Sequence, residues 1–267
     1  MRAGLEPVAD VSVGEWIAQR LGGPLGTVGS VVPRGFAAYA RVLHPVESGA
    51  GRPSLTWAQV CRLTGRIPHA LMQWAAITTP AAGAAVATAA SGRWDGGDVR
   101  VGNLAPSALS ALIGVLVPAT GGQDCFHALW EGWGWVDGFG VRVLSARDDG
   151  RVEPAPAPEP GVPAEVWALP RLRLPHRDYL LFRGRLPAAL DMGWQGPAGW
   201  FQPQSPSLLW PADHSWCVCT EIDFDSTLVG GPADLIEAVL TTRGLEAWPI
   251  DVDDDLTALA DLPNSSS

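Results

Sequence analysis

Short apolar runs of changing period, cut by Gly and Pro, most restrict how this chain can fold. Helical spacing and strand alternation follow one another without a regular βα repeat. A doubly wound parallel sheet needs that repeat, so the pattern implies an α+β fold: a mixed, mainly antiparallel sheet with short helices packed on it.

Ser12-Val-Gly-Glu15 reads as a capping box ahead of Trp16, Ile17 and Leu21, and Phe36 to Leu43 reads as a strand. Helices are expected over Ser54 to Leu63, closed by Gly65, over Ala105 to Leu116 behind Pro106, and over Ala233 to Leu240. Phe126 to Trp135 reads as a strand with Val141 to Leu144 as its hairpin partner; Tyr179 to Phe182, Ser207 to Trp210 and Leu245 to Ile250 are further strands. The Pro-rich run Glu153 to Pro163 reads as a linker or a long exposed loop. It divides the chain into an N-terminal lobe, 1–152, a connector, 153–165, and an acidic C-terminal lobe, 166–267, with one domain carrying a long loop as the alternative.

Charge excludes some functions. The chain has no Lys, so a Schiff base or a P-loop lysine is unavailable. Net charge is −10, and from Pro211 onward there are 12 acids against one Arg, which argues against nucleic acid and anionic membrane as partners. The basic run Arg171, Arg173, Arg177, Arg183 and Arg185 is either a footprint for anions or the internal neutraliser of that acidic region. MRAGLEPVAD lacks an apolar signal core and Leu104 to Val117 is too short to span a bilayer, so a cytoplasmic protein with reduced Cys61, Cys125, Cys217 and Cys219 is expected.

Trp216 to Phe224 is the clearest strand. Alternation sets Trp216, Val218, Thr220, Ile222 and Phe224 on one face and Cys217, Cys219, Glu221, Asp223 and Asp225 on the other. Three like charges on one face need water, an arginine such as Arg183 or Arg185, or a hard cation such as Mg²⁺ or Ca²⁺ held by Glu221, Asp223 and Asp225. His214, Cys217 and Cys219, with His127 or Cys125, have zinc-ligand types, although buried thiols are the simpler reading. His44, His69 and His176 each adjoin Pro and assemble no hydrolytic triad. Trp133, Trp135, Trp194 and Trp200 lie in Gly-rich segments, where they either fill the core or form an exposed binding patch.

Asp223-Phe-Asp225-Ser-Thr227-Leu-Val229 is similar to the first motif of haloacid-dehalogenase-like hydrolases. That resemblance implies Asp223 as nucleophile, Asp225 as acid and base, and Mg²⁺ bridging carboxylate and phosphate. The chain departs from the family in lacking Lys and in having only about 40 residues after Asp225. In PADHSWCVCTEIDFDSTLVGG and VPRGFAAYARVLHPV the chain also resembles uncharacterised hypothetical proteins frequent in high-GC actinobacteria, which implies a cytoplasmic bacterial protein and carries no activity. The leading expectation is a non-enzymatic protein, without cofactor, that binds another protein in a regulatory or immunity-type role. The alternative is a metal-dependent phosphate-ester hydrolase using Asp223, Asp225 and Mg²⁺.

Overall fold

A computed structural model describes residues 4–48, 54–81, 94–136, 144–146, 152–154, 160–196 and 199–265. One antiparallel sheet organises them. Its strands are β1 (Leu5–Pro7), β2 (Ala38–Leu43), β3 (Cys125–Trp130), β4 (Leu172–Leu174), β5 (Arg177–Gly184), β6 (Leu208–Pro211), β7 (Cys217–Cys219), β8 (Ser226–Gly231) and β9 (Ala247–Ile250). The order across the sheet is β1-β5-β3-β6-β7-β8-β2-β9, with β4 also paired to β5. The fold is α+β, as the irregular run of short elements implies. β3, from before residues 153–165, lies between β5 and β6 from after them, so strands on either side of that segment build one sheet.

Four helices matter to the packing: α1 (Glu15–Arg20), α2 (Trp57–Thr64), α3 (Pro106–Thr120) and α4 (Ala233–Thr241). α2 begins in a capping box in which Thr56 accepts from the Gln59 amide and Gln59 accepts from the Thr56 amide, and it ends at left-handed Gly65. The N-terminal turn differs from the sequence reading. Asp10, not Ser12, caps a 3-10 turn, Val11–Gly14, that leads into α1.

Both faces of the sheet are covered. Leu109, Leu112 and Leu116 of α3 and Leu235, Ile236 and Val239 of α4 pack with Ala40, Val42, Trp216, Val218 and Val229 on one face. On the other, Ile17, Val28, Val32 and Leu256 from the terminal segments cover Cys217, Cys219, Leu208, Leu228 and Tyr179. This is why β8 is buried at every position and why the thiol face of β7 is core rather than surface.

Two strand readings change. The strand expected to reach Phe224 stops at Cys219, because Glu221–Phe224 closes as a turn in which the Phe224 amide donates to the Glu221 carbonyl. β3 ends at Trp130 and pairs with β5 and β6; Leu144–Ala146 pairs with Val152–Pro154 instead, while 141–143 lie outside the described residues.

Candidate functional site

The turn between β7 and β8 carries the three carboxylates, and the fold sends them to two different places. Asp225 turns inward. Its Oδ1 accepts from Arg41 Nη2 at 3.1 Å, while the same guanidinium donates to Ser226 Oγ and to the carbonyls of Ala70 and Met72. Arg41 sits in the middle of β2, almost wholly buried, and its partners there satisfy its donors as a buried cation requires. Burial pushes the Asp225 carboxyl up, and Arg41 beside it pulls it back down. Behind this pair lies a second buried chain. His44 Nδ1 meets the Arg100 carbonyl at 2.5 Å, so that nitrogen must donate and Nε2 accepts from the Thr227 hydroxyl, which in turn accepts from Thr220.

Glu221 and Asp223 turn outward to Arg177. Its Nη2 donates to Glu221 Oε1 at 2.9 Å and to Asp223 Oδ2 at 2.7 Å, and its Nε donates again to Glu221 at 3.2 Å. Arg177 is held in turn by a tight β4–β5 hairpin. Leu174 pairs with Arg177, leaving Pro175-His176 as the two central residues. Pro175 and a residue of positive φ suit a type II turn, and His176 supplies that residue at φ 70° without being glycine. The acidic turn is placed by Gly102, whose amide donates to the Phe224 carbonyl and whose missing Cβ would stand 2.5 Å from the Ile222 carbonyl oxygen.

Beside these groups opens a cavity of about 390 Å³. Its wall is largely apolar: Leu21, Leu25 and Val31 from the segment after α1, Leu174 from β4, Leu208 from β6 and Phe224 from the acidic turn. Arg177, Glu221, Asp223, His176, Tyr179, Ser30 and Cys219 add the polar groups. The far wall is fixed by the C-terminal segment, since the amides of Val28 and Leu256 donate to the carbonyls of Asp254 and Gly26. Leu25 stands on this wall 79% exposed. Burial pushes the Tyr179 phenol and the Cys219 thiol well up, so both stay protonated and Cys219 is not a nucleophile at neutral pH.

The four tryptophans come together, chiefly as core. Trp135 and Trp194 are buried with Leu129, Leu180 and Phe182, half-buried Trp133 packs against the same cluster, and Trp200, 48% exposed, meets Trp194 edge-on at 4.9 Å. The adjoining glycines explain it: a Cβ on Gly161 would meet the Trp135 ring at 2.5 Å, and one on Gly196 the Trp200 ring at 2.3 Å. The bare backbone is the floor on which these rings lie.

Nor do the proposed metal ligands converge. Asp225 belongs to Arg41 while Glu221 and Asp223 belong to Arg177, and among the described residues no group of three His, Cys, Asp or Glu is placed to hold an ion. The neutralising arginines are therefore not Arg183, which pairs with Asp124, or Arg185, which donates to the Gly122 carbonyl. His214 stacks on Trp16 at 4.5 Å, away from any ligand set with the buried Cys217 and Cys219. No described helix is long and apolar enough to cross a membrane.

Arg41, Tyr179 and Leu25 had no role in the sequence reading. Arg41 was visible as the one charge inside the apolar run FAAYARVL, which calls for a buried carboxylate. Leu25 and Tyr179 left no comparable signal, because only the tertiary fold sets them around one cavity. No family model, curated protein or solved structure matches this chain.

Proposed function

We propose that this protein acts without catalysis, by binding another protein through the cleft between the 21–31 segment and the 221–224 turn. The observation that carries the reading is an open, mostly apolar cavity of about 390 Å³ with an exposed Leu25 on its rim and charged groups gathered at one side. That size and lining suit an inserted side chain or short segment. Exposed apolar surface bordered by polar groups is what interaction sites present. The acidic stretch 251–255 follows on the same C-terminal segment that braces the wall, which favours a partner with a basic surface.

Hydrolysis has no comparable support. Asp223 and Asp225 are bonded to different arginines on different sides of the turn, so nucleophile and proton carrier do not face one phosphate.

The reading is tested with a photo-crosslinking residue at position 25 in cells of the source organism. A discrete protein adduct is expected, lost when Phe224→Asp is added and kept with Val117→Asp, a control at an exposed apolar position of α3. An adduct that survives Phe224→Asp unchanged would contradict it.

A further inference from the structure

The polar side of this cleft has an unbalanced charge and an unused hydroxyl. Among the described residues, Arg177, Glu221 and Asp223 are the Arg, Asp and Glu side chains that line it, so one negative charge is left over there. Arg177 is already committed, donating to both carboxylates and to the His176 carbonyl. Each carboxylate uses a single oxygen in these bonds, which leaves Glu221 Oε2 and Asp223 Oδ1 without a partner among the described residues. Tyr179 is the independent sign of a ligand. The side chain is 4% exposed and lines the cleft, yet its hydroxyl makes no hydrogen bond to any described residue. A phenol whose ring is buried while its hydroxyl opens, unpaired within the protein, onto a cavity offers that hydroxyl to a bound group.

Resting on the binding reading above, we propose that the cleft receives a lysine side chain of the partner protein, flanked there by apolar residues. An alkylammonium has three donors and no acceptor, which matches the free oxygens of Glu221, Asp223 and Tyr179. Its carbon stem and the neighbouring apolar side chains suit the wall formed by Leu25, Val31, Leu174 and Phe224. An anionic group is disfavoured because it would meet the excess carboxylate with Arg177 already engaged.

The test uses the full chain and a blocked tripeptide, acetyl-Leu-Lys-Leu-amide, followed by ligand-observed NMR. Binding is expected, weaker by about tenfold or more when norleucine replaces lysine, and similarly weaker for Glu221→Gln or Tyr179→Phe. Tyr179→Phe removes only an unpartnered hydroxyl, so an unchanged thermal midpoint separates loss of the ligand contact from loss of fold. Equal binding of the norleucine peptide would overturn the ammonium assignment and leave the cleft reading standing. Hexylamine binding as tightly as the peptide would make the site a small-amine receptor and overturn the partner-lysine proposal. If the peptide fails but an apolar dye is displaced from the cleft by Leu25→Asp, only the lysine proposal falls; if neither peptide nor dye binds, the cleft reading falls with it.

Discussion

The two ends of the 221–225 turn carry the same chemistry, arginine on carboxylate, in opposite settings. Arg41 is sealed inside the sheet, its donors taken up by Asp225, Ser226 and two carbonyls, and Asp225 is half-buried beside it. Arg177, itself partly buried, bridges half-buried Glu221 and Asp223, 73% exposed, with carboxylate oxygens to spare on the solvent side. Stranding the fully buried Arg41 or its carboxylate is costly, whereas a pair that keeps solvent contact, as Arg177 does through Asp223, contributes less to stability. The first end therefore fixes the turn, and the second is the end to which the proposed partner lysine is assigned.

Four substitutions or conditions separate these roles. Arg41→Met strands Asp225 and should destabilise by about 3–5 kcal/mol in chemical denaturation. A loss under about 1 kcal/mol would show that the buried end is not the anchor.

Acid attacks the same end. His44 is held neutral, its pKa pushed down by burial to about 4, and His127, away from this end in β3, is lowered likewise to about 4. The unfolded chain takes up these protons first, near pH 6.5, so stability is full above that value and falls as pH drops toward 4, on the order of 3 kcal/mol per histidine. Asp225 and Glu246, both raised by burial, oppose this in part as they protonate in the folded state. His44→Gln should flatten the profile between pH 6.5 and 4; an unaltered slope would remove His44 from the account.

Gly102→Ala links the two ends. Its φ of 70° and the 2.5 Å approach to the Ile222 carbonyl make an added methyl both strained and clashing, costing about 2 kcal/mol and shifting the turn. Peptide affinity should fall with it. Smallest is Arg177→Gln, expected to change stability by less than about 1 kcal/mol while loosening the orientation of Glu221 and Asp223. A large loss of stability there would erase the contrast between the ends.

Most of the scaffold was legible because it is written in local periodicity and caps. Gly65 closing α2 and Pro106 opening α3 each announce themselves over a few residues. The end of the Trp216 strand was not. Glu221-Ile-Asp-Phe224 contains no Gly or Pro, and what turns the chain there is Gly102, over a hundred residues earlier, together with Arg177 on a separate hairpin. The site was half legible for the same reason: the three carboxylates stood out as a run, but their division between Arg41 and Arg177 depends on which strands neighbour the turn.

The central claim is that the open end of this turn, and not the tryptophan-rich cluster, is where the protein meets its partner. Amide chemical-shift mapping with the Leu-Lys-Leu peptide addresses it directly. Shifts confined to residues around Leu25, Arg177, Tyr179 and Phe224 are predicted, with Trp135 and Trp194 unmoved. Shifts centred on Trp194 and Trp200, with the 221–224 turn silent, would contradict it.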